Sequence, residues 1–503
     1  MFGTFWALVP PLIAIILALF TKEVYSSLFI GILIGALFFA GFNPEITMNH
    51  IIDNGFIKVL SNPDNVGILI FLVILGAMVS VMNKAGGSEA FGEWAKTHIK
   101  SRVGAQLATV VLGILIFIDD YFNCLTVGSV MKPVAKRHRV SASKLSYLID
   151  ATAAPVCIIA PISSWAAAVA GSVEGEDGFT LFLNAIPYNY YALLTFVFVV
   201  GVIFFKLDFG PMAKYEALCV SGKDAGDEED GGSVKSIGKS GKGKVFDLVF
   251  PIIVLISACV FGMIYTGGFF EGVDFITAFS DCSASKSLVI GSLIALVITV
   301  VLYLIRRVIS FSECMDSLSA GFKAMVPAIL ILTFAWTLKA MTDSLGAGVF
   351  VETVVKEHVI NLQFLLPAII FVIAALIAFA TGTSWGTFGI LIPIAADVFQ
   401  SVDHTMMIIA ISACMAGAVC GDHCSPISDT TIMASAGAGC NHIKHVSTQL
   451  PYVITVAAIS FVMYIIAAFI KNPVICLIIG IILTLGTLFL LKHLDTRKKA
   501  QNT

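Results

Sequence analysis

The chain has 503 residues, 58% of them hydrophobic and only 13% charged, with a mean hydropathy of +0.95. Soluble domains run near a quarter charged, so this composition argues against a soluble globular protein. The 30 Lys and Arg against 33 Asp and Glu, a net charge of -3, leave no basic footprint for nucleic acid.

Apolar stretches of membrane length recur from the first residues onward. The run at 5–21 has no basic n-region before it and no small-residue cleavage site after it, so it reads as a span rather than a signal peptide. Spans near 25–41 and 65–83 follow. Segment 103–135 is too long for one span and too short for two; as a single helix it would reach about 50 Å against a hydrocarbon core of about 30 Å. Its polar tip, Asp119-Asp120-Tyr121-Phe122-Asn123, divides it into two half-depth arms and predicts a re-entrant hairpin. Segment 144–171 is long and broken at Ala160-Pro161-Ile162-Ser163-Ser164, and a span near 188–205 closes the first half. Residues 206–244 hold seven Lys and seven acids among Gly and Ser, which is linker composition. The second half predicts spans near 246–267, 287–305 and 324–341. A second hairpin follows at 363–398, with the tip Thr381-Gly382-Thr383-Ser384-Trp385-Gly386-Thr387. A second broken segment at 406–437, spans near 448–470 and 474–491, and a basic tail complete the chain. The eleven cysteines sit mostly in apolar runs without paired spacing and read as reduced packing residues.

Basic residues gather on cytoplasmic flanks. Lys96, Lys100 and Arg102 precede the first hairpin and Lys136, Arg137, Arg139 and Lys144 follow it, which puts both of its ends inside. The second hairpin is flanked by Asp343, Glu352, Glu357, Asp397 and Asp403, which puts its ends outside. About eleven transmembrane helices and two hairpins, N-terminus out and C-terminus cytoplasmic in a plasma (inner) membrane, satisfy these flanks. An internal repeat supports the layout. Met82-Asn83-Lys84-Ala85-Gly86-Gly87 resembles Met341-Thr342-Asp343-Ser344-Leu345-Gly346, Pro133 and Pro393 differ by 260, and Pro161-Ile162-Ser163-Ser164-Trp165 aligns with Pro426-Ile427-Ser428-Asp429-Thr430 at 265. The expected organisation is a first inverted repeat at 1–205, a cytoplasmic linker at 206–244, a second inverted repeat at 245–470, and an extra C-terminal helix with a basic tail at 471–503. An all-α polytopic membrane protein with inverted repeats and broken helices is the pattern of a secondary transporter, whose site lies where the breaks meet.

The richest break is Cys420-Gly421-Asp422-His423-Cys424-Ser425-Pro426-Ile427-Ser428-Asp429-Thr430-Thr431. Helix-break backbone in hydrocarbon must face protein, water or an ion, and this string offers the carboxylate, hydroxyl and carbonyl oxygens that Na+, a hard cation, takes. Asp422 and Asp429 are the sharpest candidates, because carboxylates at membrane depth mark ion or proton pathways. Na+ and H+ can compete for one such group, which suffices for exchange. Asp119 and Asp120 at the first tip come second, with Asn123 and Thr126 as neutral partners. Ser163, Ser164, Thr383, Ser384 and Thr387 are candidates for a substrate or a second cation. His423 either relays protons or is a satisfied structural histidine; Asp150 either lines the pathway or bonds a neighbour. Trp165 and Trp385 either gate a cavity or pack, and Lys132 and Lys339 read as snorkelling to the interface. Cys420, His423 and Cys424 lack the second ligand pair of a zinc site, and an intramembrane aspartyl protease would not explain paired hairpins. No cofactor is expected beyond Na+ as transported or coupling ion.

At Gly421-Asp422-His423-Cys424-Ser425-Pro426-Ile427-Ser428-Asp429-Thr430-Thr431, and again at Ile118-Asp119-Asp120-Tyr121-Phe122-Asn123, the chain resembles the NhaC-type Na+/H+ antiporters of the ion transporter superfamily, over about 60–470. The resemblance implies scaffold and transport regions, a homodimer, and elevator-like motion of the hairpin-bearing region. By the same resemblance Asp119, Asp120, Asn123, Asp422, Ser425, Ser428, Asp429 and Thr430 would form the cation site. The expected activity is Na+/H+ exchange; the alternative is a Na+- or H+-coupled carrier of an amino acid or small organic anion. A passive channel would not need paired carboxylates at helix breaks.

Overall fold

The computed structural model describes residues 1–21, 23–117, 120–160, 165, 169, 178–222, 243–280, 282–354, 364–399 and 403–501, and no strand occurs among them. The N-terminal helices are α1 (Val9–Thr21) and α2 (Val24–Phe39). A wide helical turn at His50–Ile57 leads into α3 (Pro63–Lys84) and α4 (Gly87–His98). Asn62 starts α3 by accepting from Asp64 N and Asn65 N, with Pro63 in the first turn where its missing N–H costs nothing. The first predicted hairpin corresponds to α5 (Arg102–Leu115) and α6 (Asp120–Arg137). The region of the first predicted break contains α7 (Ala142–Asp150) and one turn at Ala154–Cys157. The interruption at 151–153 comes earlier than the Pro161 break, whose residues 161–164 lie outside the described residues.

The half closes with α8 (Gly178–Ala185), α9 (Tyr190–Phe205) and α10 (Gly210–Val220). Helix α10 differs from the linker reading. It lies inside the charged segment yet docks firmly, because its Glu216 is buried, pairs with Arg102 and accepts Ser141 N at 2.8 Å. Just before it, Asp208 pairs with buried Lys144 at 2.7 Å and accepts the Tyr452 hydroxyl at 3.0 Å.

The second half comprises α11 (Phe246–Thr266), α12 (Ala284–Ile305), α13 (Phe311–Ser344), α14 (Ala347–Val354), α15 (Leu366–Thr381), α16 (Ser384–Phe399), α17 (His404–Cys424), α18 (Asp429–Ala438), α19 (His442–Ile470) and α20 (Pro473–Gln501). Among the described residues six helices are long and apolar enough to cross a membrane, and a seventh arises if the pair Thr180–Tyr188 and Tyr190–Phe205, bent by 46°, counts as one. The expected eleven differs because stretches read as spans form shorter apolar helices, such as Phe5–Ala18 and Tyr25–Phe39. The span near 324–341 is instead the inner part of the 34-residue α13, which a Ser310–Glu313 capping box starts.

Glycines set the closest crossings. A Cβ on Gly76 of α3 would lie 2.7 Å from Gly321 O of α13, and one on Gly321 would lie 2.3 Å from Gly76 O. Gly128 of α6 meets Gly437 of α18 in the same way, and a Cβ on Gly421 of α17 would lie 2.1 Å from Ala375 O of α15. Small residues that let backbones touch are how helices associate where lipid removes the hydrophobic drive.

Two apolar clusters result. One gathers α9, α15, α17, α19 and α20; the other gathers α1–α3, α6, α11–α13 and α18. The chain crosses from the first to the second between α17 and α18, at the break.

Candidate functional site at the break between α17 and α18

Helix α17 ends at Cys424, Ser425 turns extended (φ -86°, ψ 127°), and Ser428 caps α18 by accepting Thr431 N. Pro426 forbids continuation, since it lacks an N–H and pushes the residue before it out of helical geometry. The freed backbone is held by protein. His442 Nε2 donates to Pro426 O at 2.7 Å, and Ser425 Oγ donates to Phe379 O near the end of α15 at 2.8 Å. Gly382, at φ +67°, seats the second predicted tip against the break; any Cβ there would lie 2.5 Å from Ile427 O.

Asp422 is 3% exposed and Thr430 Oγ1 donates to its Oδ2 at 2.8 Å, while Ser428 and Thr430 hydroxyls lie 3.2 Å apart. Its Oδ1 has no hydrogen-bond partner among the described residues, and the same holds for buried Asn123 Oδ1 and Thr126 Oγ1. Buried oxygens without a donor are the groups a hard cation would use. Asn123 is otherwise tied down, its amide nitrogen reaching Gly113 O, Ile116 O and Thr152 O at 2.7–3.0 Å.

Asp429 faces a cavity of about 500 Å³ lined also by His50, Lys58, Trp336, Lys339 and Thr383. Tyr121 from the first predicted tip donates its hydroxyl to Asp429 Oδ2 at 2.9 Å, and Trp336 Nε1 approaches the same oxygen at 3.4 Å. One carboxylate thus gathers side chains from both halves of the chain.

The remaining sequence candidates divide. Asp120 is buried in the first turn of α6 and accepts Tyr121 N at 3.2 Å. Thr383 lines the cavity, whereas Ser384 Oγ bonds Ala418 O and Thr387 Oγ1 bonds Thr383 O. Trp165 and Trp385 pack against each other at 5.3 Å and both against Phe388. Asp150 is enclosed by His423, His445, Gln449 and Thr431, and His423 Nδ1 meets Tyr191 OH at 2.9 Å. Lys339 donates to Asp343 at 2.8 Å. Asp119, Ser163 and Ser164 lie outside the described residues. Sequence reasoning missed Tyr121, Trp336, His442, His445 and Gln449. The last three sit at helical spacing on one side of a long apolar helix, a polar stripe that was available as a signal.

A family model described as the Na+/H+ antiporter family matches residues 166–469. The chain belongs to this family. It is an antiporter, a multi-pass membrane transporter rather than an enzyme. An uncharacterized protein of Haemophilus influenzae is 39% identical over 481 residues, 92% of this chain and 91% of that one. The malate-2H+/Na+-lactate antiporter of Bacillus subtilis is 26% identical over 211 residues, 41% of this chain and 42% of its own length. An uncharacterized Na+/H+ antiporter of Haemophilus influenzae is 31% identical over 162 residues, 31% of this chain and 33% of its own. The antiporter's match to the last two thus spans less than half of each, and their solutes are statements about those proteins.

Proposed function

We propose that this antiporter exchanges Na+ for H+ across the plasma membrane by alternating access, with the cation held at the break between α17 and α18. The observation that carries the reading is Asp422: enclosed, fixed through one oxygen by Thr430, and presenting its other oxygen with no hydrogen-bond partner among the described residues at a helix break. Asp429, open to the cavity, is the port through which the ion arrives or leaves. Ser425, Ser428, Asp120 and Asn123 shape the surrounding shell. In this reading the N-terminus is outside, the C-terminus is cytoplasmic, the protein works as a homodimer, and the hairpin-bearing region moves elevator-like against the rest of the protein.

A second reading, coupled exchange of an amino acid or small organic anion, is supported by the cavity itself, whose volume and Lys58 suit a carboxylate-bearing solute, Lys339 being engaged by Asp343. Proteoliposomes loaded with a pH dye separate the two. A sodium gradient that moves protons with no organic solute present supports Na+/H+ exchange, whereas proton movement that appears only after adding malate, lactate or an amino acid supports the carrier.

A further inference from the structure

The exchange proposed above does not use Asp150, which is fully buried at the end of α7. Its Oδ2 accepts Gln449 Nε2 at 2.8 Å and lies 3.2 Å from His445 Nε2 and 3.3 Å from Thr431 Oγ1. Its Oδ1 lies 3.8 Å from His423 Nε2 and has no hydrogen-bond partner among the described residues; nor has His445 Nδ1, on the far side of that ring. The titratable groups facing this cluster are Tyr147 on α7, Tyr191 on α9, Asp422 and His423 on α17, and His442 on α19, while α18 contributes the neutral Thr431. Among the described residues no Lys or Arg pairs with Asp150, and Lys144, a turn and a half back on α7, is engaged by Asp208. A buried carboxylate without a fixed cation is strongly disfavoured. A proton on the imidazole that touches it supplies the missing charge, and histidine is the side chain that takes up and gives back a proton near neutral pH.

Resting on the Na+/H+ reading, we infer that Asp150 and His445 hold a transported proton at a place separate from the sodium carboxylates. Thr431 links the two places, its hydroxyl 3.3 Å from Asp150 Oδ2 and 3.3 Å from the backbone oxygen of Asp422. A sodium ion arriving at Asp422 brings a positive charge toward the protonated pair through a low-dielectric core, and repels that proton. By reciprocity the proton repels the ion. Binding of one therefore favours release of the other without a shared oxygen.

The test uses the full-length protein in proteoliposomes, with sodium uptake followed by radioactive sodium and proton counterflow by an entrapped dye. His445→Gln keeps an amide donor for Asp150 and removes the imidazole that would carry the proton. The expected result is continued sodium uptake with fewer protons moved per sodium, and Asp150→Asn gives the same fall. An unchanged ratio in both variants overturns the inference alone. Loss of sodium binding in both, with the proteins still folded by thermal melting, also overturns it, because the cluster would then be part of the sodium site. No sodium-driven proton movement in the wild type overturns the antiport reading, and this inference with it.

Discussion

At the scale of single residues, the site depends on how few donors reach its carboxylates. Asp429 Oδ2 is positioned by Tyr121 and Trp336, side chains from helices distant in sequence. Tyr121→Phe removes one hydrogen bond to a carboxylate, worth about 1.5–3 kcal/mol, so the sodium KM should rise ~10–150-fold at nearly unchanged turnover. Equal loss of KM and turnover would instead place Tyr121 in the moving step. Asp422 and Asp429 were legible in the sequence, because a carboxylate between apolar runs beside Pro426 has few other meanings. Tyr121 was not. An aromatic beside a polar tip looks like an interface anchor, and its bond to Asp429 spans 308 positions that only the fold brings together. His445 and Gln449 left a weaker trace, a polar stripe with His442 on one side of a mostly apolar helix.

At the scale of elements, the glycine contacts decide how closely the halves of the core approach. A Cβ on Gly421 meets Ala375 backbone at 2.1 Å, which neither helix can yield cheaply. Gly421→Ala should therefore destabilise the protein by about 1–3 kcal/mol, read as a lower melting temperature. Gly486→Ala in α20, where nothing lies within 4 Å, should leave melting unchanged or raise it slightly.

The segment ahead of α10 offers a pH test. Burial pushes the Asp208 carboxyl up, but the Lys144 amine beside it outweighs that and holds the group below its ordinary value. A lowered folded value means the stabilisation is present at neutral pH and is lost as pH falls through and below the ordinary carboxylate range. Asp208→Asn should lower stability at neutral pH and flatten that acid-side loss in melting curves; an unaltered pH profile would contradict the pairing. The break between α17 and α18 was legible as an element because Pro and Ser interrupt an apolar run. Helix α10 was not, since a charge-rich, Gly-containing stretch carries the same composition whether free or docked, and Glu216 becomes structural only through Arg102 and Ser141.

At the scale of the whole molecule, apolar side chains face outward in rows: Ile253, Phe261 and Tyr265 on α11, Leu293, Val297 and Val301 on α12, and Ile475, Ile482 and Phe489 on α20. Surfaces of that kind are stable against lipid and not against water. Inside them lie buried Asp150 and Asp422, with Asp429 at the end of a cavity. Low charge content alone indicated a membrane protein; the burial of these few acids is what the proposed exchange rests on. Helices α3 and α13 approach most closely at Gly76 and Gly321. That Tyr121 of the first half would complete the carboxylate of the second required the three-dimensional arrangement.

The central claim is that sodium binds at Asp422 and Asp429, and equilibrium binding of radioactive sodium to the purified protein across a pH series tests it most directly. Saturable binding to the wild type that weakens as pH falls is expected, because proton and sodium binding oppose one another, with no saturable binding to folded Asp422→Asn or Asp429→Asn. Wild-type sodium affinity in both variants would contradict it.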